Sequence, residues 1–261
     1  MAIYNDQMKR SLRLDQVPRR IISLVPSQTE LLYSLGLEDE VIGITRFCIH
    51  PESWYQSKIR IGGTKKLNLE KIRSLKPDLL IGNKEENERS QIESLMEEYP
   101  VWMSDISNLT EALDMISQVG RITGKSEKAK SIRGEIQSKF SALPSPTHTR
   151  SAAYFIWKNP YMAAGHGTFI NNMLPFCGLH NAFSQSRYPE ISAETLKEVA
   201  PEVILLSSEP YPFRDKHITE FKELCPDSEI RIVDGEFFSW YGSRMLDAPS
   251  YFRSLFFREI L

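Results

Sequence analysis

Residues 68–81 read Asn-Leu-Glu-Lys-Ile-Arg-Ser-Leu-Lys-Pro-Asp-Leu-Leu-Ile, and residues 192–205 read Ser-Ala-Glu-Thr-Leu-Lys-Glu-Val-Ala-Pro-Glu-Val-Ile-Leu. Both stretches contain the same features in the same order: an acidic residue, apolar residues at helical spacing, a proline, a second acidic residue and an apolar run. Corresponding residues of the two stretches are a constant number of positions apart (194 − 70 = 124). Because this offset is close to half of the 261 residues, the pattern predicts a chain built of two related halves.

Each copy of this repeat predicts a short helix followed by a buried strand. Asn68 or Ser192 caps the helix, and an acid in its first turn meets the positive end of the helix dipole. Pro77 or Pro201 ends the helix, and the apolar run that follows suits a parallel strand buried on both faces. The fold class predicted from this is α/β, with two Rossmann-like lobes that face each other across a cleft.

One long helix is predicted to join the two lobes. It begins at Ser126 and runs to about Leu143, where the Pro144-Ser145-Pro146 stretch ends it. At 1.5 Å per residue this helix spans roughly 27 Å, about the height of a small lobe. The predicted domains are an N-terminal α/β lobe over 1–107, a connecting helical segment over 108–146 that contains the long backbone helix, and a C-terminal α/β lobe over 147–261.

Composition excludes several classes of function. A net charge of −2 leaves no basic surface for nucleic acid, and no stretch approaches the roughly 20 apolar residues that cross a bilayer. We therefore expect no nucleic-acid partner and no direct membrane insertion. The three cysteines, Cys48, Cys177 and Cys225, lack zinc-ligand spacing and are interpreted as free thiols.

The opening residues bear on location. Residues 1–16 are too polar to supply the apolar core of a secretion signal. The chain as written is therefore expected in the cytoplasm, or in the periplasm or at the membrane surface if a leader was removed.

Aromatic residues mark the candidate binding surface. Phe237-Phe238-Ser239-Trp240-Tyr241 is predicted to be a loop, and alternating strand packing would hide only half of its rings. Phe47, Trp157 and Tyr161 also fall at predicted strand ends or loops, and ligands of open α/β sheets bind beyond the carboxyl ends of the strands. An aromatic-lined cleft and a set of scattered core aromatics are the two interpretations.

Three other motifs are weaker. Gly120-(x)3-Gly124-Lys125-Ser126 is one residue short of a phosphate-binding loop and no strand precedes it. Gly165-His166-Gly167 predicts either a tight turn or an anion-binding site formed by free backbone N–H groups at the start of a helix. Cys48-x-His50 lacks a partner pair for structural zinc, but His50 could be an axial ligand to an iron or cobalt held by a chelate, or could be hydrogen-bonded locally.

At this point the chain resembles a known family, the helical-backbone (class III) solute-binding proteins that deliver cobalamin, haem or ferric siderophores to ABC importers. The resemblance covers nearly the whole chain. It rests on the segments Arg20 to Glu30, Gly62-Gly63-Thr64, Asn68-Leu69-Glu70, Lys76-Pro77-Asp78, Asn159-Pro160, Gly178-Leu179-His180-Asn181, Pro201-Glu202 and Ser243-Arg244.

The resemblance implies a site and two partners. It assigns Glu70 and Glu194 to docking on arginines of an ABC importer permease dimer, and it implies a small-molecule metal chelate as ligand. No covalent cofactor is expected, the ligand itself would carry iron or cobalt, and the protein would be a monomer. The ligand-binding residues implied by the resemblance are Arg46, His50, Asn83, Trp157, Glu236, Trp240 and Arg244, to which the residue patterns add Phe47, Lys84, Tyr161, Phe238 and Tyr241.

Three functions are compared on this basis. The leading hypothesis is a non-enzymatic solute-binding protein for a corrinoid, haem or ferric siderophore. The second is a cytosolic sensor or carrier of such a ligand that does not dock on an importer. The third is a two-lobed α/β enzyme, which the chain disfavours because it has no nucleophile with a neighbouring base and no dinucleotide-binding loop.

Overall fold

A computed structural model describes residues 2–145 and 148–257. The elements of the first part are β1 (Ala2–Asn5), β2 (Ser11–Leu14), β3 (Ile21–Ser23), α1 (Pro26–Ser34), β4 (Val41–Ile44), α2 (Glu52–Ser57), β5 (Ile59–Arg60), α3 (Leu69–Leu75), β6 (Leu79–Asn83), α4 (Arg89–Met96), β7 (Val101–Ser104), α5 (Leu109–Ile122) and α6 (Ser126–Ser141). Those of the second part are β8 (Arg150–Trp157), β9 (Met162–Ala163), α7 (Phe169–Met173), a 3-10 helix (Leu174–Cys177), β10 (Leu179–Asn181), α8 (Ala193–Val199), β11 (Val203–Ser207), α9 (Asp215–Leu224), β12 (Glu229–Val233), α10 (Glu236–Ser239), a second 3-10 helix (Ser243–Leu246) and α11 (Ala248–Phe256).

The chain divides into two compact units, and each has its own sheet. The first unit comprises the residues up to Ile106, Thr110–Ile136 and Tyr241–Arg244, and the remaining residues form the second. The division passes through α6, between Ile136 and Gln137. The predicted α/β class with parallel sheets is confirmed, while the domain boundaries predicted at 107 and 147 stay predictions.

The sheet of the first unit has the strand order β5-β4-β3-β6-β7, and all of its pairings are parallel. Every residue of β6 and β7 is buried, as expected for strands covered on both faces. The hairpin of β1 and β2, which the sequence patterns did not predict, is a separate antiparallel sheet. It contacts the central sheet near β7, where the Trp102 indole donates to the Asn5 carbonyl.

The sheet of the second unit has the order β10-β8-β11-β12, also parallel, with β9 antiparallel to β8. All five residues of β11 are buried. A buried aromatic cluster that includes Phe155, Phe183 and Phe221 covers one face of this sheet.

The predicted repeat is present at the level of single hydrogen bonds. Asn68 and Ser192 cap α3 and α8 by accepting the backbone N–H of the residue three positions later. Both helices end in a left-handed residue, Lys76 with φ of 45° and Ala200 with φ of 41°. The two copies therefore share their helix start, helix end and following buried strand.

The second acid of each copy holds the start of a neighbouring strand. The Asp78 carboxylate accepts the backbone N–H groups of Arg19 and Arg20 at 2.8 and 2.9 Å, just before β3. The Glu202 carboxylate accepts the N–H of Ser151 in β8 at 2.7 Å. This hydrogen bond lowers the pKa of Glu202. In each unit, an acid at the start of one strand thus fixes the start of the strand beside it.

Three sequence-based expectations need comment. The prediction of a loop at Glu236 to Tyr241 was wrong, because residues 236–239 form α10. The predicted domain boundary at 146 and 147 lies outside the described residues. Within the described ranges, no helix is both long and apolar enough to cross a membrane.

Replacing Asp78 by alanine tests the role of the repeat acid. We expect Asp78→Ala to lower the free energy of unfolding by about 1 kcal/mol, because two backbone N–H groups lose a charged acceptor. Urea denaturation of purified protein measures this change. Asp15→Ala, which removes an exposed acid, is the control, and equal stability of the two variants would contradict the assignment.

Candidate functional site

The carboxyl ends of the parallel strands define one candidate surface in each unit. In the first unit these ends lead into residues 45–50 after β4 and residues 84–87 after β6. In the second unit these ends are Trp157, the last residue of β8, residues 208–210 after β11 and residues 234–236 after β12. Loops at this edge are where open α/β sheets hold ligands.

Phe47 and Arg46 form an exposed aromatic platform in the first unit. The Phe47 ring is 48% exposed, and the Arg46 guanidinium lies 4.9 Å from its centroid. Both side chains pack over Gly63, where a Cβ atom would lie 3.0 Å from the Phe47 ring. A glycine at this position therefore lets the platform lie flat against the sheet edge.

Cys48 is the buried member of the Cys48-x-His50 motif. The Cys48 thiol is buried and contacts the hydroxyls of Thr29 and Thr45 at 3.0 and 3.1 Å. Burial raises the pKa of this thiol to about 11, so it stays protonated. In the described parts of the chain, no group of three or more His, Cys, Asp or Glu side chains could hold a metal ion. His50 is half-buried, and its role as an axial ligand stays a prediction.

Asn83 builds the loop after β6. It is buried, its amide nitrogen donates to the Ser104 hydroxyl at 2.9 Å, and its oxygen accepts the backbone N–H groups of Glu85 and Glu86. These hydrogen bonds give Asn83 a structural function, so we leave it out of the set of proposed ligand contacts. Lys84 is exposed and pairs with Asp105 at 2.6 Å.

Tyr241 and Arg244 belong to a four-residue segment that packs in the first unit. The Tyr241 hydroxyl donates to Glu86 Oε1 at 2.9 Å, and burial raises the pKa of this phenol. The Arg244 guanidinium contacts both carboxylate oxygens of Glu30, at 2.8 and 3.1 Å. These contacts anchor the segment and neutralise the charge of Arg244 within the unit.

Trp157 is the exposed aromatic residue of the second unit's sheet edge. It ends β8, is 40% exposed, and meets the Tyr211 ring edge-on at a centroid distance of 5.7 Å. The Tyr211 hydroxyl lies 3.3 Å from Nε2 of buried His217. Tyr211, which the sequence patterns did not single out, thus supports Trp157 from behind.

Tyr161 and Phe238 are packing residues. The Tyr161 ring contacts Phe155 and Phe221, its hydroxyl donates to Glu220, and burial raises the pKa of the phenol. Phe238 is fully buried against neighbouring rings. We therefore leave Tyr161 and Phe238 out of the set of proposed ligand contacts.

Glu209 organises the acidic end of the second sheet. Its carboxylate accepts the Trp240 indole N–H at 2.9 Å and the Ser239 hydroxyl at 2.8 Å. Burial raises the pKa of Glu209, and the charges of Glu236 and Asp234 add to that shift. Trp240, for which the sequence analysis predicts a ligand-binding role, is only 7% exposed. The Glu209 carboxylate orients its indole ring.

Glu70 and Glu194 occupy equivalent first-turn positions of α3 and α8, and both are exposed. Hydrogen bonds from its own backbone N–H and from Ser192 lower the pKa of Glu194. Both acids are therefore placed to meet a partner, and their docking role stays a prediction.

Sequence reasoning missed four residues of these surfaces: Glu30, Glu86, Glu209 and Tyr211. Glu30 lies in one of the motifs that carry the resemblance, so its pairing with Arg244 had a sequence signal. The others follow strand ends, where the chain position alone does not identify the hydrogen-bond partner. The ligand-binding roles predicted for Arg46, Phe47, Lys84, Trp157, Glu236, Trp240, Tyr241 and Arg244 stay predictions.

Comparison with known proteins finds relatives over most of the chain. The family model described as "Periplasmic binding protein" matches residues 21–224. The vitamin B12-binding protein of Vibrio campbellii is 29% identical over 196 residues, which cover 72% of this chain and 70% of that protein. An uncharacterised ABC transporter substrate-binding lipoprotein of Bacillus subtilis, YvrC, is 26% identical over 213 residues, which cover 77% of this chain and 67% of that protein.

Solved structures share the fold. The periplasmic vitamin B12-binding protein BtuF of Vibrio cholerae superposes with a TM-score of 0.78 at 22% identity, over 91% of this chain and 96% of that one. The periplasmic haem-binding protein HutB of Vibrio cholerae superposes with a TM-score of 0.78 at 21% identity, over 90% of this chain and 98% of that one. A protein of an ABC-type Fe3+-hydroxamate transport system from Saccharomonospora viridis superposes with a TM-score of 0.76 at 16% identity, over 97% of this chain and 98% of that one.

The raised pKa of Glu209 predicts a pH dependence of stability. A carboxyl group whose pKa is raised in the folded state binds its proton more tightly in the folded than in the unfolded protein. Its favourable contribution to the free energy of unfolding is therefore present at low pH and is lost as the pH rises through the folded-state pKa. We expect Glu209→Gln, which keeps an acceptor oxygen, to become more stable relative to wild type between about pH 4 and pH 7.

Urea denaturation across this pH range measures the difference in the free energy of unfolding. Glu223→Gln, at an exposed position of α9, is the control. A constant difference between Glu209→Gln and wild type over the whole range would contradict the prediction.

Proposed function

Because the chain belongs to the periplasmic binding protein family, we propose that it binds a metal-bearing chelate and delivers it to an ABC importer. The ligand class is a corrinoid, haem or ferric siderophore, and its metal arrives with the ligand. Relatives named as vitamin B12-binding and as ABC transporter substrate-binding proteins support this function. They also support a role without chemical turnover.

The observation that carries the proposal is the pair of exposed rings, Phe47 and Trp157. Phe47 follows β4 and is 48% exposed, and Trp157 ends β8 and is 40% exposed. Each therefore lies at the carboxyl edge of a parallel sheet. Large apolar side chains are normally buried, so exposed aromatic residues at a ligand edge indicate a surface that an apolar face would cover. Flat macrocycles and hydroxamate chelates offer such faces.

Charged groups at the same sheet edges would bind the periphery of the ligand. Arg46 and Lys84 in the first unit would donate hydrogen bonds to carboxylate or carbonyl oxygens of the ligand, while Glu236 in the second unit would accept hydrogen bonds from its N–H or O–H groups. His50 is proposed as an axial ligand to the metal of a bound haem or corrinoid, because neutral imidazole is a common ligand for iron and cobalt.

Ligand titration tests the binding site. We expect Phe47→Ala and Trp157→Ala each to weaken binding of the recognised chelate about tenfold, since each removes aromatic contact worth about 1.4 kcal/mol. Absorbance and fluorescence titrations with cyanocobalamin, haemin and a ferric hydroxamate siderophore measure the affinities. His50→Ala should also shift the absorption spectrum of bound haem or corrinoid.

The matched control for this titration is Tyr33→Ala, because Tyr33 is 39% exposed but lies on helix α1. It should leave the affinity unchanged. Failure of all three chelates to bind wild-type protein would overturn the proposed ligand class. Equal losses in the Tyr33 variant and the two ring variants would overturn the assigned site.

Charge reversal tests delivery to the importer. We expect the double variant Glu70→Arg and Glu194→Arg to abolish ligand uptake while the affinity for free ligand stays unchanged, because like charges would then face the arginines of the permease. Uptake of labelled ligand by proteoliposomes that contain the importer measures the effect. Glu198→Arg, another exposed acid on α8, is the control, and normal uptake by the double variant would contradict importer docking.

A further inference from the structure

A cavity lies in the first unit under the turn of the N-terminal hairpin. It has a volume of about 370 Å³, within the lower part of the range of about 300–1,000 Å³ that is usual for small-molecule sites. Its lining comes from the hairpin turn, the loop after β6, helix α4 and strand β7. The lining residues are Met8, Arg10, Lys84, Asn87, Arg89, Ile92, Glu93 and Met103.

The hairpin forms a fixed wall of this cavity. The side chain of Asp6 is 1% exposed and accepts hydrogen bonds from Arg10 Nε and Nη2 at 2.9 and 2.6 Å. The backbone N–H of Gln7 donates to the Met103 carbonyl at 3.1 Å and so ties the turn to β7. These hydrogen bonds therefore fix the orientation of the Arg10 guanidinium and the position of the hairpin turn in the absence of a ligand.

The floor of the cavity is apolar. Ile92 and Met103 are buried members of the first unit's core, and Met8 packs against that core from the hairpin. Methionine side chains are flexible and adapt to different apolar shapes. Water over such a floor makes few hydrogen bonds, so an apolar chain that displaces it gains affinity.

Three cations line the rim of the cavity, and each is paired with a carboxylate. Arg10 pairs with buried Asp6 and Lys84 pairs with Asp105, both at 2.6 Å. Arg89 pairs with Glu93 at 2.7 Å, and these side chains are 88% and 56% exposed. An ion pair this exposed adds little stability, so Arg89 can exchange Glu93 for another carboxylate at small cost.

From the fixed wall, the apolar floor and the exchangeable Arg89–Glu93 pair, we propose that this cavity binds a small amphipathic carboxylate of the medium-chain fatty acid class. The chain lies over Met8, Ile92 and Met103, and the carboxylate replaces Glu93 as the partner of Arg89. This cavity shares Lys84 with the proposed chelate site, so the test relies on Arg89, which is not assigned to that site.

Octanoate is the probe, and methionine methyl groups report its binding. In the full chain labelled with 13C at the methionine methyl positions, titration below the micelle-forming concentration should shift the Met8 and Met103 signals, assigned through Met8→Leu and Met103→Leu. Met245, buried in the second unit, should not respond. Octanol, with the same chain and no charge, should bind roughly tenfold more weakly.

Substitution of Arg89 tests the role of its charge. Arg89→Gln should weaken octanoate binding about fivefold and Arg89→Lys should restore most of it, while chelate binding stays as in wild type. Lys128→Gln, which removes an exposed charge from α6, is the control. Unchanged Met8 and Met103 signals, equal affinities for octanoate and octanol, or equal affinities of Arg89→Gln and wild type would each overturn the proposal.

Discussion

Asp78 and Glu202 carry the interaction on which the rest of each unit depends. Each follows the proline that ends a repeat helix, and each accepts backbone N–H groups at the start of a neighbouring parallel strand. Since all strands of a parallel sheet have their carboxyl ends at the same edge, these hydrogen bonds help set the strand register in which the following loops reach that edge. The candidate binding surfaces are at that edge.

Buried polar contacts then organise the edge of each unit. In the first unit, Asn83 and Ser104 hold the loop after β6. In the second, Glu209 holds Ser239 and the Trp240 indole. Buried polar groups cost free energy unless they are paired, so these residues serve to fix loop shape. The Phe47 and Trp157 rings stay exposed at these edges.

The sequence predicted local structure well where one residue type has one strong preference. Asn68 and Ser192 cap helices because their short side chains reach a backbone N–H three residues on. The apolar runs after the two prolines become fully buried strands, as the absence of polar alternation indicated. The β1–β2 hairpin was not predicted because its strands are mostly exposed and lack the apolar run that marks a buried strand.

The candidate site was predicted less completely for a physical reason. An aromatic or polar residue near a strand end packs inward or faces a ligand according to partners that are distant in the chain. Phe238 packs on Tyr154 and Phe252, and Tyr241 donates to Glu86, 155 positions away. No pattern within residues 237–241 contains that information.

The amino-acid sequence by itself determined the duplicated α/β unit, the helix caps and the buried strands of this protein, because these follow from short-range hydrogen bonds and from the spacing of apolar residues. Only the tertiary structure decided which rings stay exposed, which charges are neutralised by acids such as Glu30, and where the hairpin encloses a cavity. Burial and charge pairing depend on contacts between residues far apart in the chain, and the folded chain alone brings those residues together.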